Sequence, residues 1–219
     1  MNKLRVEMHA QDVSDVFWRN LALRHAPAIR WELNRMDQYA LLAEQRRMFA
    51  AYNTGSVPSA TALALLLLGR EMQPDVAFEV GTFIGNTTRA LAATCKHVHT
   101  CDASNDIKLD LPNVTQYRLK TSTDALKEFS ALDQKINLLF LDGRLQPGDG
   151  DLLATLVTQD TVVALDDCYQ LEKGMVNVSM LKGFYVPPPR GEPFAAFGVP
   201  GGTTLGLVVP GSELRILQA

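Results

Sequence analysis

Along the chain, segments whose apolar side chains recur every three or four residues alternate with short unbroken apolar runs. The two rhythms predict helices and buried strands in turn. Val13, Val16, Phe17 and Leu21 share one helical face, and Met36, Tyr39, Leu42 and Phe49 share another, so residues 1–54 read as a helical N-terminal cap or arm. A loop through Thr54, Gly55 and Ser56 leads into an apolar helix over 59–70, with Pro58 suited to its first turn. Beyond it the pattern predicts strands over 76–80, 98–101, 114–119, 136–141 and 161–165, with helices over 86–94, 124–132 and 151–157 between them. Leu171, Met175, Val178 and Leu181 return to helical spacing. After the Pro- and Gly-rich stretch 187–202, the runs 203–209 and 213–217 flank Pro210-Gly211 and predict an antiparallel hairpin.

Continuous apolar strands separated by helices predict βαβ units and a parallel sheet covered on both faces. The fold class is therefore α/β, mostly parallel with an antiparallel ending, in one domain over 55–219 that follows the N-terminal arm. The apolar run 60–69 is too short to span a bilayer, and the N-terminus has no hydrophobic signal core, so the expectation is a cytoplasmic protein without a membrane partner. Cys95, Cys101 and Cys168 have neither disulfide-framework nor zinc spacing and read as reduced thiols. A net charge of −3 lacks the basic footprint of a nucleic-acid binder and leaves a small molecule as the expected partner. A homo-oligomer is left open.

In an open parallel sheet, ligands bind beyond the carboxyl ends of the strands. The first strand runs into Phe78-Glu79-Val80-Gly81-Thr82-Phe83-Ile84-Gly85-Asn86-Thr87-Thr88, two glycines four apart before a helix. Such a turn lets the backbone bend tightly and offers helix N–H groups to a ligand. It is not the three-glycine dinucleotide signature, and its acidic Glu79 suits an amine or hydroxyl better than a pyrophosphate. Asp102, about twenty residues on at the end of the second strand, can accept both hydroxyls of a ribose. Together they point to an adenosine-containing ligand without a demanding phosphate site. The fourth strand ends in Asp142-Gly143 and the fifth in Asp166-Asp167-Cys168, so three carboxylates are expected at one rim, where a hard divalent cation would relieve their repulsion.

Glu79-x-Gly81-x-x-x-Gly85 with Asp102 after the next strand resembles the class I S-adenosylmethionine-dependent methyltransferases, and FEVGTFIGNTT is most similar to small O-methyltransferases of the catechol and caffeoyl-coenzyme A type. The resemblance covers about residues 50–217 and implies a Rossmann-like, mostly parallel seven-stranded sheet with an antiparallel C-terminal hairpin. It implies S-adenosyl-L-methionine as cofactor. Glu79, Gly81 and Thr82 would face its methionine end, with Gly85, Asn86 and Thr87 completing the turn and helix start. Asp102 would hold the ribose, Ala103 would lie by the adenine with Ser122 and Thr123 at its edge, and Gly55-Ser56 would close over the carboxylate. Asp142 would also serve the cofactor amine.

In the catechol-type enzymes the positions matching Asp142, Asp166 and Asp167 hold magnesium, so the resemblance implies a Mg2+ or other divalent site at these three residues. The Asp166-Asp167 pair is more like a carboxylate-rich branch that includes cephalosporin-hydroxylase-like proteins. The match fails at the lysine base three residues after the fourth-strand aspartate, where this chain has Leu145 preceded by Arg144. Lys173, Tyr169 or Glu172 could take its place as proton acceptor. The expected function is metal-assisted O-methylation of a small hydroxylated molecule, with Asp142, Asp166 and Lys173 as catalytic candidates. A non-catalytic module binding S-adenosylmethionine or its homocysteine product, and a hydroxylase-like enzyme on the same fold, are the alternatives. Phe194 and Phe197 could wall a lid.

Overall fold

The computed structural model describes residues 57, 59–104, 107–167, 173–181 and 206–208. In chain order they form α1 (Ser59–Met72), β1 (Val76–Val80), α2 (Asn86–Ala92), β2 (His97–Asp102), β3 (Val114–Arg118), α3 (Ser122–Ser130), β4 (Ile136–Leu141), α4 (Asp149–Leu156), β5 (Val157–Leu165), α5 (Gly174–Leu181) and β6 (Gly206–Val208). The N-terminal arm, the Gly55-Ser56 loop, Cys168, Tyr169, Glu172, the Pro- and Gly-rich stretch with Phe194 and Phe197, and the run 213–217 lie outside the described residues.

All five residues of β1 are buried, which requires cover on both faces. Side-chain alternation sends Ala77 to one face, with Val98, Leu138, Phe140, Val162 and Ala164, under the apolar α1 and Leu91 of α2. It sends Val76, Phe78 and Val80 to the other, with Leu139, Leu141 and Leu165, under α3, α4 and Leu181 of α5. The sheet therefore lies between two helical layers, as the apolar runs predict.

Strand order is β3-β2-β1-β4-β5-β6. The first five strands are parallel, and β6 runs antiparallel to β5, pairing Leu165 with Gly206. The chain starts at β1 in mid-sheet, steps out through β2 to β3, then crosses back to place β4 on the other side of β1. The winding thus reverses between β1 and β4, which opens a crevice there.

Element limits differ from the sequence pattern where side-chain bonds or strand pairing hold the ends. α3 starts at Ser122 because Thr121 accepts from the Asp124 N–H at 3.2 Å and donates to Asp124 Oδ2 at 2.8 Å, so Ser122 and Thr123 fall in the first turn. α4 starts at Asp149, whose buried carboxylate accepts from the Gln146 N–H at 2.7 Å. β5 begins at Val157, paired with Ile136 ahead of a register shift. No helix among the described residues is long and apolar enough to cross a membrane.

Candidate functional site

The register places the strand ends in a row. Val80 stands opposite both Cys101 and Leu141, and Leu141 opposite Leu165, so Gly81, Asp102, Asp142 and Asp166 each follow by one residue along four adjacent strands. Backbone bonds hold the row: Gly81 N–H to Cys101 O at 2.9 Å, Asp142 N–H to Val80 O at 2.9 Å and Asp166 N–H to Leu141 O at 2.9 Å.

Gly81 adopts φ 106°, and a Cβ there would stand 2.6 Å from Gly143 N. The glycine is required by the close approach of the β4 loop as much as by any ligand. Phe83 takes φ 43°, a strained value for an aromatic residue, and its N–H donates to Asp102 Oδ2 at 2.7 Å. Gly85, at φ 78°, is the residue before α2, where no side chain caps the helix.

Glu79, expected at the methionine end of a cofactor, is fully buried and borders neither the cavity above the turn nor the smaller recess beside it. Thr87 donates to Oε1, and Thr88 and Thr100 donate to Oε2 at 2.5 and 2.6 Å, while the Thr82 hydroxyl meets Thr100 Oγ1 at 2.6 Å. The carboxylate thus ties the glycine turn, the start of α2 and β2 together from beneath. Burial pushes its pKa up to about 7 despite the three donors, with a smaller push from Asp142.

Above the turn lies a cavity of about 410 Å³, bordered by Gly81, Phe83, Asp102, Ala103, Ser122 and Asp142 among the expected residues and their neighbours. That volume falls in the range of small-molecule sites. Asp102 Oδ1 accepts from the N–H and hydroxyl of Ser104 at 2.9 and 3.0 Å, while Oδ2 accepts from the Phe83 N–H and, among the described residues, keeps acceptor capacity for a ligand hydroxyl. Ser122 borders the cavity, but Ser122 and Thr123 both donate to Asp149, each at 2.5 Å. They brace the cavity floor against α4. Thr82, Asn86 and Thr87 border a smaller recess that also reaches Gly81 and Asp142. The described site thus offers what an adenosine-bearing cofactor needs: a crevice at the switch point, a carboxylate at the end of β2 and small residues beside it.

Lys120 and Gln146, not singled out from the sequence, border the cavity together with Arg144; Asn177, equally unmarked, does not. Lys120 follows the end of β3 and was open to the same rule that found Asp102. Asn177, buried in α5, accepts from Leu145 N–H at 3.0 Å and donates to Gly143 O at 2.9 Å, pinning the loop after β4. Nothing in helical spacing marks it.

The rim carboxylates converge as expected, but around a side chain. Lys173 Nζ pairs with Asp142 Oδ1 and lies 3.0 Å from Asp167 Oδ2 and 3.8 Å from Asp166 Oδ2. Burial works against its charge, yet Asp142 and then Asp167 outweigh it, so the Lys173 pKa is raised. Lys173 is accordingly held protonated and is not a free proton acceptor. Asp142 is moved upward by its own burial, which Lys173 opposes. Asp167 stands at φ 52°, a left-handed conformation aspartate tolerates better than most residues. Among the described residues, no group of three or more His, Cys, Asp or Glu side chains is arranged to hold a metal ion. The donor set here does not fit the expected divalent cation, because an ammonium sits among the carboxylates that would ligate it.

His97 and His99 stand on β2 with ring centroids 4.7 Å apart. His99 is buried against Phe78, Tyr117 and Phe129, and burial, with His97 adding to it, lowers its pKa to about 4.

No protein-family model and no curated protein matches the sequence. Solved structures do. An O-methyltransferase from Bacillus cereus in complex with SAH is similar with a TM-score of 0.54 at 20% identity, over 61% of this chain and 67% of that one. A methyltransferase from Geobacter sulfurreducens is similar with a TM-score of 0.53 at 17% identity, over 78% of this chain and 88% of that one. The O-methyltransferase TomG from Streptomyces achromogenes, in complex with SAM, gives 0.50 at 16% identity, over 79% and 90%. Strand order, the antiparallel β6 and these likenesses agree: the chain carries the Rossmann-like methyltransferase fold.

Proposed function

We propose that this protein is an S-adenosylmethionine-dependent O-methyltransferase acting on a small hydroxylated molecule. The observation that carries the reading is the row of Gly81, Asp102 and Asp142 around one cavity at the switch point of a methyltransferase fold. Asp102 would accept the ribose hydroxyls, Ala103 and Ser122 would flank the base, and Gly81 and Asp142 would receive the methionine end. The bound cofactor supplies an electrophilic methyl group. The chain's part is to bring an acceptor oxygen into line with it at the Asp142–Lys173 rim, which is mainly a problem of alignment. There Lys173 would direct an N–H to the acceptor oxygen, and the Asp142 carboxylate, lifted by burial, would take up the hydroxyl proton.

O-methyltransferases with bound SAH or SAM are among the similar structures, which supports the choice of cofactor. Metal assistance is not part of the proposal, since the rim does not fit a divalent ion. The test is calorimetric titration with S-adenosylhomocysteine, followed by transfer of label from S-adenosylmethionine to a panel of phenols and hydroxy acids. Saturable binding with turnover is expected. Binding without turnover on any acceptor would favour a sensing module, and no binding would end the reading.

A further inference from the structure

The rim of Asp142, Asp166 and Asp167 gathers three carboxylates at one edge of the sheet, each at most one-fifth exposed. Like charges this crowded and this dry destabilise one another unless a cation is among them. We propose that the Lys173 ammonium is the resident countercation of this rim, filling the place a divalent metal would otherwise need to take.

The placement of the ammonium is built rather than incidental. Lys173 Nζ contacts all three carboxylates, through the direct bond to Asp142, 3.0 Å to Asp167 and 3.8 Å to Asp166. Its backbone is fixed as well: Lys173 O accepts from the Asn177 N–H at 2.9 Å, in the first turn of α5. The Asn177 side chain in turn holds Gly143 O and Leu145 N, on the loop that follows Asp142. One residue of α5 thus sets the spacing between the ammonium and the aspartate it pairs with most closely. A lysine contributes a single charge and N–H donors in place of coordination, so an acceptor oxygen here would be met by a hydrogen bond rather than by a metal ion. The inference concerns the charge balance of the rim and does not depend on which nucleoside fills the cavity.

The experiment measures Mn2+ binding by the loss of its free electron-paramagnetic-resonance signal, and thermal stability in chelator and in excess Mn2+. It uses wild type, Asp166→Asn, Lys173→Gln and the double variant Asp167→Asn with Lys173→Gln. Wild type is expected to leave equimolar Mn2+ free and to melt at the same temperature with chelator or metal. Lys173→Gln should melt lower by about 5 °C or more, because three partly buried carboxylates lose their partner, and the double variant should recover part of that loss. The proposal is overturned if wild type takes up one Mn2+ per chain in a way Asp166→Asn abolishes, or if Lys173→Gln melts with wild type. The wild-type reading decides on its own should the variant fail to fold. Titration with S-adenosylhomocysteine on the same wild-type sample reads the cofactor assignment separately.

Discussion

Thr100 on β2 stands directly opposite Glu79 on β1, and its hydroxyl donates to Glu79 Oε2 at 2.6 Å across the strand pair. With Thr87 and Thr88 reaching the same carboxylate from α2, a buried acid holds the turn on which the cavity rests.

That acid makes stability depend on pH. Its folded pKa, raised by burial to about 7 from 4.5, means the folded state holds the proton more tightly than the unfolded chain. Its contribution is fully present below about 4.5 and is lost as pH rises through about 7, on the order of 3 kcal/mol in all. His99 acts with the opposite sign: lowered from 6.5 to about 4, its contribution is present above 6.5 and lost as pH falls through 4. Glu79→Gln isolates the first effect. Its melting temperature minus that of wild type should rise by roughly 5–10 °C between pH 5 and pH 8. A difference that does not move with pH would contradict the assignment.

Gly81→Ala should damage the site through its floor. The new Cβ would meet Gly143 N at 2.6 Å from a backbone at φ 106°, neither of which a side chain accepts. A loss of about 2–3 kcal/mol in stability is expected, together with weaker S-adenosylhomocysteine binding. Gly148→Ala is the control, since it shares a positive φ of 92° but has nothing within 4 Å, so it should lose about 1 kcal/mol and leave binding unchanged. Equal effects from the two variants, by denaturant melts and calorimetry, would remove the role given to the Gly81–Gly143 approach.

Asp102→Ala tests the nucleoside end of the cavity. Removing an acceptor for ligand hydroxyls should weaken S-adenosylhomocysteine binding by roughly 10- to 100-fold, while adenine alone, which has no ribose, should lose little. The side chain also holds Phe83 N–H and Ser104, so a melting curve is needed alongside. Unchanged affinity would move the ribose elsewhere.

Asn177→Leu should leave Leu145 N–H and Gly143 O without their partner beside the cavity. A destabilisation of about 2–3 kcal/mol is expected from denaturant melts, and Asn177→Asp, which keeps the acceptor for Leu145, should recover part of it. Identical loss in both variants would show that the acceptor half of the contact has no weight.

Much of this arrangement is legible in the chain because unbroken apolar runs can only be covered strands. β1 and β4 have the limits their patterns predict, and Gly81 and Asp142, just past their ends, border the cavity. What the pattern hides are contacts made across the fold. The partners of Glu79 and Lys173 escape the pattern for one reason: what a charged side chain faces is set by the fold, and neither the three threonines nor the three aspartates adjoin it in sequence. Helix starts move for a local reason: Thr121 caps α3, and the Asp149 carboxylate at the start of α4 holds the preceding Gln146 N–H, both before the apolar spacing begins.

The crossing from β3 back to β1 also bears on how the chain reaches its native form. The Val76 N–H bonds Asn137 Oδ1 at 2.9 Å across 61 residues of sequence, and all three rim aspartates, carried by β4 and β5, depend on that seam closing. Segments so far apart find each other slowly, because the intervening loop must first surrender its freedom. The half built on β1 to β3 is complete once Arg118 is made, whereas the rim has to wait for Lys173, about 55 residues later in synthesis.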